Sequence, residues 1–251
     1  MKPHRMYPAC VSLVALCAAL CFSSADSHAQ GCAPPACALS FHSVSFEGFA
    51  AGTSVEGLGA VDPDLALTSV PWSFSPSCAA GSAAVIEEGN PIPFSAYATN
   101  TNINNNCLNG TKGFADNSGC VLDYDFTFAP GVTVGCFGIR IVDYGDFFPF
   151  GGSIHQVLLT AYDVGNNVVN QDQLSVTGGV NLTGGDACSA QAGDPGNTVL
   201  SVSGPGIVKL TLRYNAYPDP NVGYDDITFC ELSQPTPALR RSWGFVKTRY
   251  R

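Results

Sequence analysis

Hydrophobic and polar positions alternate with a period of two in one segment of this chain after another, the mark of β-strands that turn one face to a core. The pattern is clearest at the centre, where Leu122, Tyr124, Phe126 and Phe128 interleave with Val121, Asp123, Asp125 and Thr127. Pro130-Gly131 then turns the chain into a longer strand, Val132 to Asp143, with Phe137, Ile139 and Ile141 on one face. Gly135 and Gly138 within it predict a bulge or a close neighbour. Ile154 to Asp163, the turn Val164 to Asn167, and Val168 to Val176 read as a hairpin. Thr198 to Val202 and Ile207 to Tyr214 follow, with Val208, Leu210 and Leu212 inward, and Val222 to Glu231 is the last patterned strand. Toward the other end, Phe41 to Phe49 and Ala83 to Ile86 alternate in the same way. With no segment of three helical turns, roughly ten short strands punctuated by Gly and Pro predict an all-β fold, an antiparallel β-sandwich.

The segments between strands set the domain plan. Ala50 to Pro76 mixes Gly, Pro and short apolar runs, with Asp62-Pro63-Asp64 as a turn and Trp72 and Phe74 as core aromatics. Asn100 to Asn109 is dominated by Asn and Thr, cannot build a core and predicts an exposed loop; Thr177 to Asn197 predicts another, closed on Cys188. No linker interrupts residues 39–232, so they are expected to form a single domain.

The ends of the chain and its cysteines place it outside the cell. Lys2 and Arg5, an apolar run from Ala9 to Phe22 and Ser27-His28-Ala29 form a secretory signal peptide over residues 1–29, too short to span a bilayer as a helix. Residues 30–38 are a Cys- and Pro-rich leader. Three of the 11 cysteines leave with the signal; Cys32, Cys37, Cys78, Cys107, Cys120, Cys136, Cys188 and Cys230 stay, an even set that reads as disulfides tying long loops. Cys32 with Cys37 and Cys107 with Cys120 are the shortest loops to close. Zinc is disfavoured, because no Cys-x-x-Cys occurs and the mature chain holds only His42 and His155. From Gln30 to Gln234 four basic residues stand against 19 acidic ones, a balance that excludes nucleic acid as partner and suits calcium or neutral polar ligands. Residues 233–251 form a Pro-rich spacer and a tail with five basic residues and no acid, expected to touch the cell envelope or a sorting receptor.

Candidate chemistry gathers in three places. In Val222 to Glu231, Tyr224, Asp226, Thr228 and Cys230 fall on one side and Asp225, Ile227, Phe229 and Glu231 on the other. Carboxylates are depleted from strands, so Asp225 and Asp226 either meet solvent at the strand's start or ligate a hard cation. The Phe46-Glu47 pair near the start and Asp225-Asp226-Ile227-x-Phe229 near the end resemble the terminal strands of jelly-roll sandwiches among the galactose-binding-like carbohydrate-binding modules. The resemblance covers approximately Leu39 to Leu232. It implies adjacent terminal strands sharing a structural calcium, with Glu47 answered by Asp225 or Asp226 and all ligands oxygen.

The second place is Asp143 to Gly152, in which Asp143, Tyr144, Asp146, Phe147 and Phe148 offer aromatic rings beside polar groups, as sugar-holding surfaces do; the same aromatics could instead plug the end of the sandwich. Tyr214, Tyr217 and Tyr224 form a weaker third. Catalysis is not expected: Asp143 with Asp146, or Glu87 with Glu88, are near-adjacent acids rather than two carboxylates facing each other across a cleft. Gly151-Gly152-Ser153-Ile154-His155 lacks the last glycine of a nucleophile elbow. The sequence therefore predicts a secreted, calcium-stabilised module that binds a glycan or another cell-surface polymer. A ligand-free structural surface protein and a polysaccharide-cleaving enzyme are the alternatives.

Overall fold

The computed structural model describes residues 40–71, 83–87, 108, 110–116, 122–142, 144, 154–177, 198–216 and 222–232. The predicted signal peptide, leader and basic tail lie outside these residues. So do Trp72, Phe74 and every cysteine except Cys136 and Cys230.

Twelve strands form two six-stranded antiparallel sheets, and no helix occurs among the described residues. The first sheet contains β1 (Ser40–Val44), β4 (Ala83–Glu87), β5 (Lys112–Asp116), β7 (Val134–Val142), β10 (Thr198–Ile207) and β12 (Gly223–Glu231). Its order is β10-β7-β12-β5-β4, with β1 on the same edge of β12 as β5. The second sheet contains β2 (Gly57–Asp62), β3 (Leu65–Pro71), β6 (Leu122–Phe128), β8 (Ile154–Tyr162), β9 (Val168–Thr177) and β11 (Lys209–Ala216), in the order β2-β3-β6-β11-β8-β9. The alternation read from the sequence supplies the inner faces: Tyr124, Phe126, Leu210 and Leu212 of the second sheet are buried, and so are Phe137, Ile139, Ile141 and Phe229 of the first. Aromatic rings run through this core, from Phe46 to Phe114 (5.3 Å between centroids), Phe114 to Tyr224 (5.2 Å) and Tyr224 to Tyr124 (5.0 Å).

Several expectations are corrected. Residues 57–71 form the hairpin β2–β3 around the predicted Asp62-Pro63-Asp64 turn, not an irregular segment, and β5 has no counterpart among the predicted strands. The first strand ends at Val44, and Glu47 lies in the turn that follows. In β12 the period of two breaks: the β12–β7 register shifts between Asp225 and Thr228, and Asp226 takes a left-handed backbone (φ 47). This bulge puts Tyr224 on the same buried side as Ile227 and Phe229, separating it from Asp226 and Thr228. Gly135 does have a close neighbour, since a Cβ there would meet Leu232 Cδ2 at 2.8 Å.

The sheet edges are mostly covered. Residues 52–55 hydrogen-bond along β4 through Gly52, Thr53 and Val55. At the other side Asp172 of β9 accepts from the Ser201 N–H (2.8 Å) and Asn170 donates to the Ser203 carbonyl (2.9 Å), closing β9 onto β10.

Candidate functional site

The strand registers give the molecule two unlike ends. Pro71 pairs with Leu122, Ala216 with Gln156 and Ile154 with Thr177 in one sheet; Ala83 pairs with Asp116, Gly223 with Val142 and Thr198 with Ile141 in the other. All of these are strand ends or lie within two residues of one, and all lie at one end of the sandwich. The connections β3–β4, β5–β6, β7–β8, β9–β10 and β11–β12 therefore start and finish there. On the opposite side the turns β2–β3, β6–β7, β8–β9 and β10–β11 take only one to five residues, while β4–β5, residues 88–111 and the longest connection, also starts and finishes away from the first end. Ser40 pairs with Glu231 at that opposite end, so both terminal strands have their outer ends there.

The floor beneath the long connections is tyrosine. Tyr214 and Tyr224 join hydroxyl to hydroxyl at 2.7 Å, Tyr144 stacks on Tyr214 at 5.9 Å, and Tyr124 meets Tyr224 edge-on. Burial, reinforced by the neighbouring Tyr224 hydroxyl, pushes the Tyr214 phenol well above its ordinary pKa. Tyr144, one of the predicted binding residues, is 0% exposed and packs against Tyr214 in the core. Tyr214 and Tyr224 are buried with it. Asp143, Asp146, Phe147 and Phe148 lie outside the described residues, as does Tyr217.

The predicted calcium ligands have partners of their own. Glu47 accepts from the Thr111 N–H (2.7 Å), the Lys112 N–H (2.8 Å) and the Thr111 hydroxyl (3.1 Å), and so ties the turn after β1 to the start of β5. Gly110 is needed for the approach: its φ is +98, and a Cβ there would lie 2.5 Å from Glu47 Oε1. The Thr111 amide, first among its donors, holds the Glu47 carboxyl below the ordinary carboxylate range. Asp226 takes Arg140 through Nε and Nη2, both at 2.7 Å. Asp225 is 2% exposed, so the expectation of a strand start open to solvent does not hold for it. Glu47, Asp225 and Asp226 are not brought together as a three-ligand group; the one such group among the described residues is His42, Asp62 and Asp64. Glu47 and Asp226 thus each carry protein donors, amides at Glu47 Oε1 and a guanidinium at Asp226 Oδ2.

The outer face of the second sheet is polar and largely satisfied within itself. Arg213 donates to Asp125 and to the Tyr124 carbonyl (2.7 Å), Asp123 accepts from the Tyr214 N–H (2.9 Å), and Gln156 donates to Ser175 (3.0 Å) while accepting from Asn215. Burial raises the Asp123 pKa despite that amide and Arg213. Side chains so engaged have less to offer a ligand. Two groupings were missed from sequence: Cys136 with Cys230, register partners on β7 and β12 with their sulfurs in contact, and His42 with Asp62, Asp64 and Glu231. Cross-strand proximity was the signal in both, and the sequence holds it only once the register is known.

No family model matches the chain, and no curated protein matches it. Among solved structures, the K2 cleaved adhesin domain of Lys-gingipain is similar with a TM-score of 0.40 and 14% identity, over 76% of this chain and 99% of that one.

Proposed function

We propose that this chain is an exported, non-catalytic binding module of jelly-roll architecture that holds a neutral polar polymer, most simply a glycan, at the end where five connections meet. The strand order supports the architecture: β5-β12-β7-β10 facing β6-β11-β8-β9 is the nested pairing of an eight-strand jelly roll, with β1–β4 added at its edges. The observation that carries the function is the convergence of connections, including the predicted recognition loop, at one end. Five connections meet at one end while both terminal strands point out of the other, so a chain tethered through either terminus presents those connections outward. Asp143, Asp146, Phe147 and Phe148 are the proposed ligand contacts, and Tyr144 anchors them. A glycan array probed with the full exported chain tests this. Binding should be lost on Phe147→Ala and Phe148→Ala with the melting temperature unchanged. An array without a ligand would favour the structural surface protein, and release of sugars that Asp143→Asn abolishes would favour the polysaccharide-cleaving enzyme. The basic tail is proposed to fix location at the cell envelope, and truncation after Gln234 should release the protein from cells without changing its melting temperature.

Calcium enters this proposal through one measurement. If Glu47 and Asp225 or Asp226 share an ion, calcium raises the melting temperature of the chelator-treated chain, and Glu47→Gln abolishes that rise. If the bonds to Thr111 and Lys112 are the whole junction, calcium gives no such rise while Glu47→Gln still destabilises. In either case the lowered Glu47 pKa fixes the sign with pH. Its contribution is present above the unfolded carboxyl pKa and is lost as pH falls through the lower folded value, a loss that Glu47→Gln removes.

A further inference from the structure

At the end away from the five converging connections, His42 of β1 stands between two carboxylates. Its Nδ1 is 3.0 Å from Asp62 Oδ2, at the end of β2, and its Nε2 is 3.2 Å from Glu231 Oε1, at the end of β12. The ring is fixed by stacking on Phe229, with centroids 4.3 Å apart and planes 13° from parallel. The Asp64 N–H holds Asp62 by its other oxygen, Oδ1, at 2.9 Å. A neutral imidazole has one N–H and one lone pair. If Glu231 takes the N–H, the lone pair at Nδ1 faces a carboxylate oxygen, and only a positive centre between the two makes that contact favourable. A second proton would serve for His42 and Asp62 alone. Asp64 makes the difference, because one ligand atom from each of His42, Asp62 and Asp64 lies within 4.8 Å of the others.

We propose that these three side chains bind a divalent cation of the zinc type, with Glu231 outside the ligand set orienting the imidazole. Imidazole nitrogen with two carboxylates suits zinc rather than calcium, which takes oxygen alone. A carboxylate on the far ring nitrogen is the usual support for a metal-bound histidine. The side chains of His42 and Asp62 are 20% and 14% exposed, so an ion can enter from solvent. Bound there, it joins β1 of one sheet to the β2–β3 turn of the other.

The test uses the full exported chain, stripped with chelator and dialysed. Zinc chloride should bind one per chain by calorimetry and raise the melting temperature by about 5 °C or more near saturation, a rise that Glu47→Gln leaves intact. Asp64→Asn should leave the metal-free melting temperature unchanged and weaken zinc binding at least tenfold. Glu231→Gln should weaken it by roughly 10- to 100-fold, the range for removal of outer-shell partners. The proposal is overturned if zinc gives neither heat nor a thermal shift, or if both variants bind it as tightly as the parent. Neither result bears on glycan binding at the opposite end.

Discussion

Replacing Phe114 with alanine should lower the stability of the folded chain by about 3–5 kcal/mol, the usual cost of deleting a buried aromatic ring. Phe114 is 0% exposed and touches Phe46, Tyr124 and Tyr224, which come from the turn after β1, from the second sheet and from β12. It also sits at the point where β5 pairs with β12, opposite Tyr224. The backbone there is close: a Cβ on Gly113 would meet the Tyr224 carbonyl oxygen at 2.5 Å, so β5 has little freedom to shift and fill the cavity. At about 2–4 °C per kcal/mol for a domain of this size, the melting temperature should fall by roughly 6–20 °C. Phe41, 40% exposed on β1, provides the control, and its replacement by alanine should cost well under half as much. Equal losses at the two positions would mean that the aromatic chain is not the core.

The paired alanine variant of Cys136 and Cys230 should show the second large loss, about 2–4 kcal/mol. The two residues are register partners in adjacent strands yet 94 positions apart in sequence, so a bond between them constrains the unfolded chain over a long loop. Denaturant titration of the variant would measure the release of that constraint on the unfolded state, since two alanines leave the strand pairing of the native sheet in place. Peptide mapping of the unreduced protein should recover Cys136 linked to Cys230. Alkylation of either thiol in the unfolded, unreduced chain would refute the pairing.

What the sequence made legible follows from how each element is stabilised. Strands buried on one face, such as β6 with Leu122, Tyr124, Phe126 and Phe128, write that burial into their alternation, and the alternation puts β6 to β9 close to their observed bounds. The strand β5 is five residues long, begins with a lysine held by the Phe49 carbonyl and depends on β4 and β12 for its pairing, so its own residues carry almost no signal. In β12 the bulge at Asp226 shifts the alternation by one residue, and the period of two therefore assigns Tyr224 to the wrong face. Composition tells a partial story about Glu47 and Asp226. It marks them as carboxylates needing partners, but the partners are amides and a guanidinium brought in by strand pairing. The role of His42 is hidden in the sequence because Asp62 and Glu231 reach it from opposite ends of the described chain.

The placement of Cys230 also decides how the domain would carry a mechanical load. Ser40 and Glu231 lie side by side, so tension between the two chain ends would open the β1–β12 ladder like a zipper, rung by rung, and not in shear. Within β1, Ser40–Val44, there is no cysteine to oppose that peeling. On β12 the link to β7 sits two residues before Leu232, and a pull from that side would pass into the middle of the first sheet before a second rung of β12 could open. Under force the fold should therefore yield from its leading strand and hold at its trailing one.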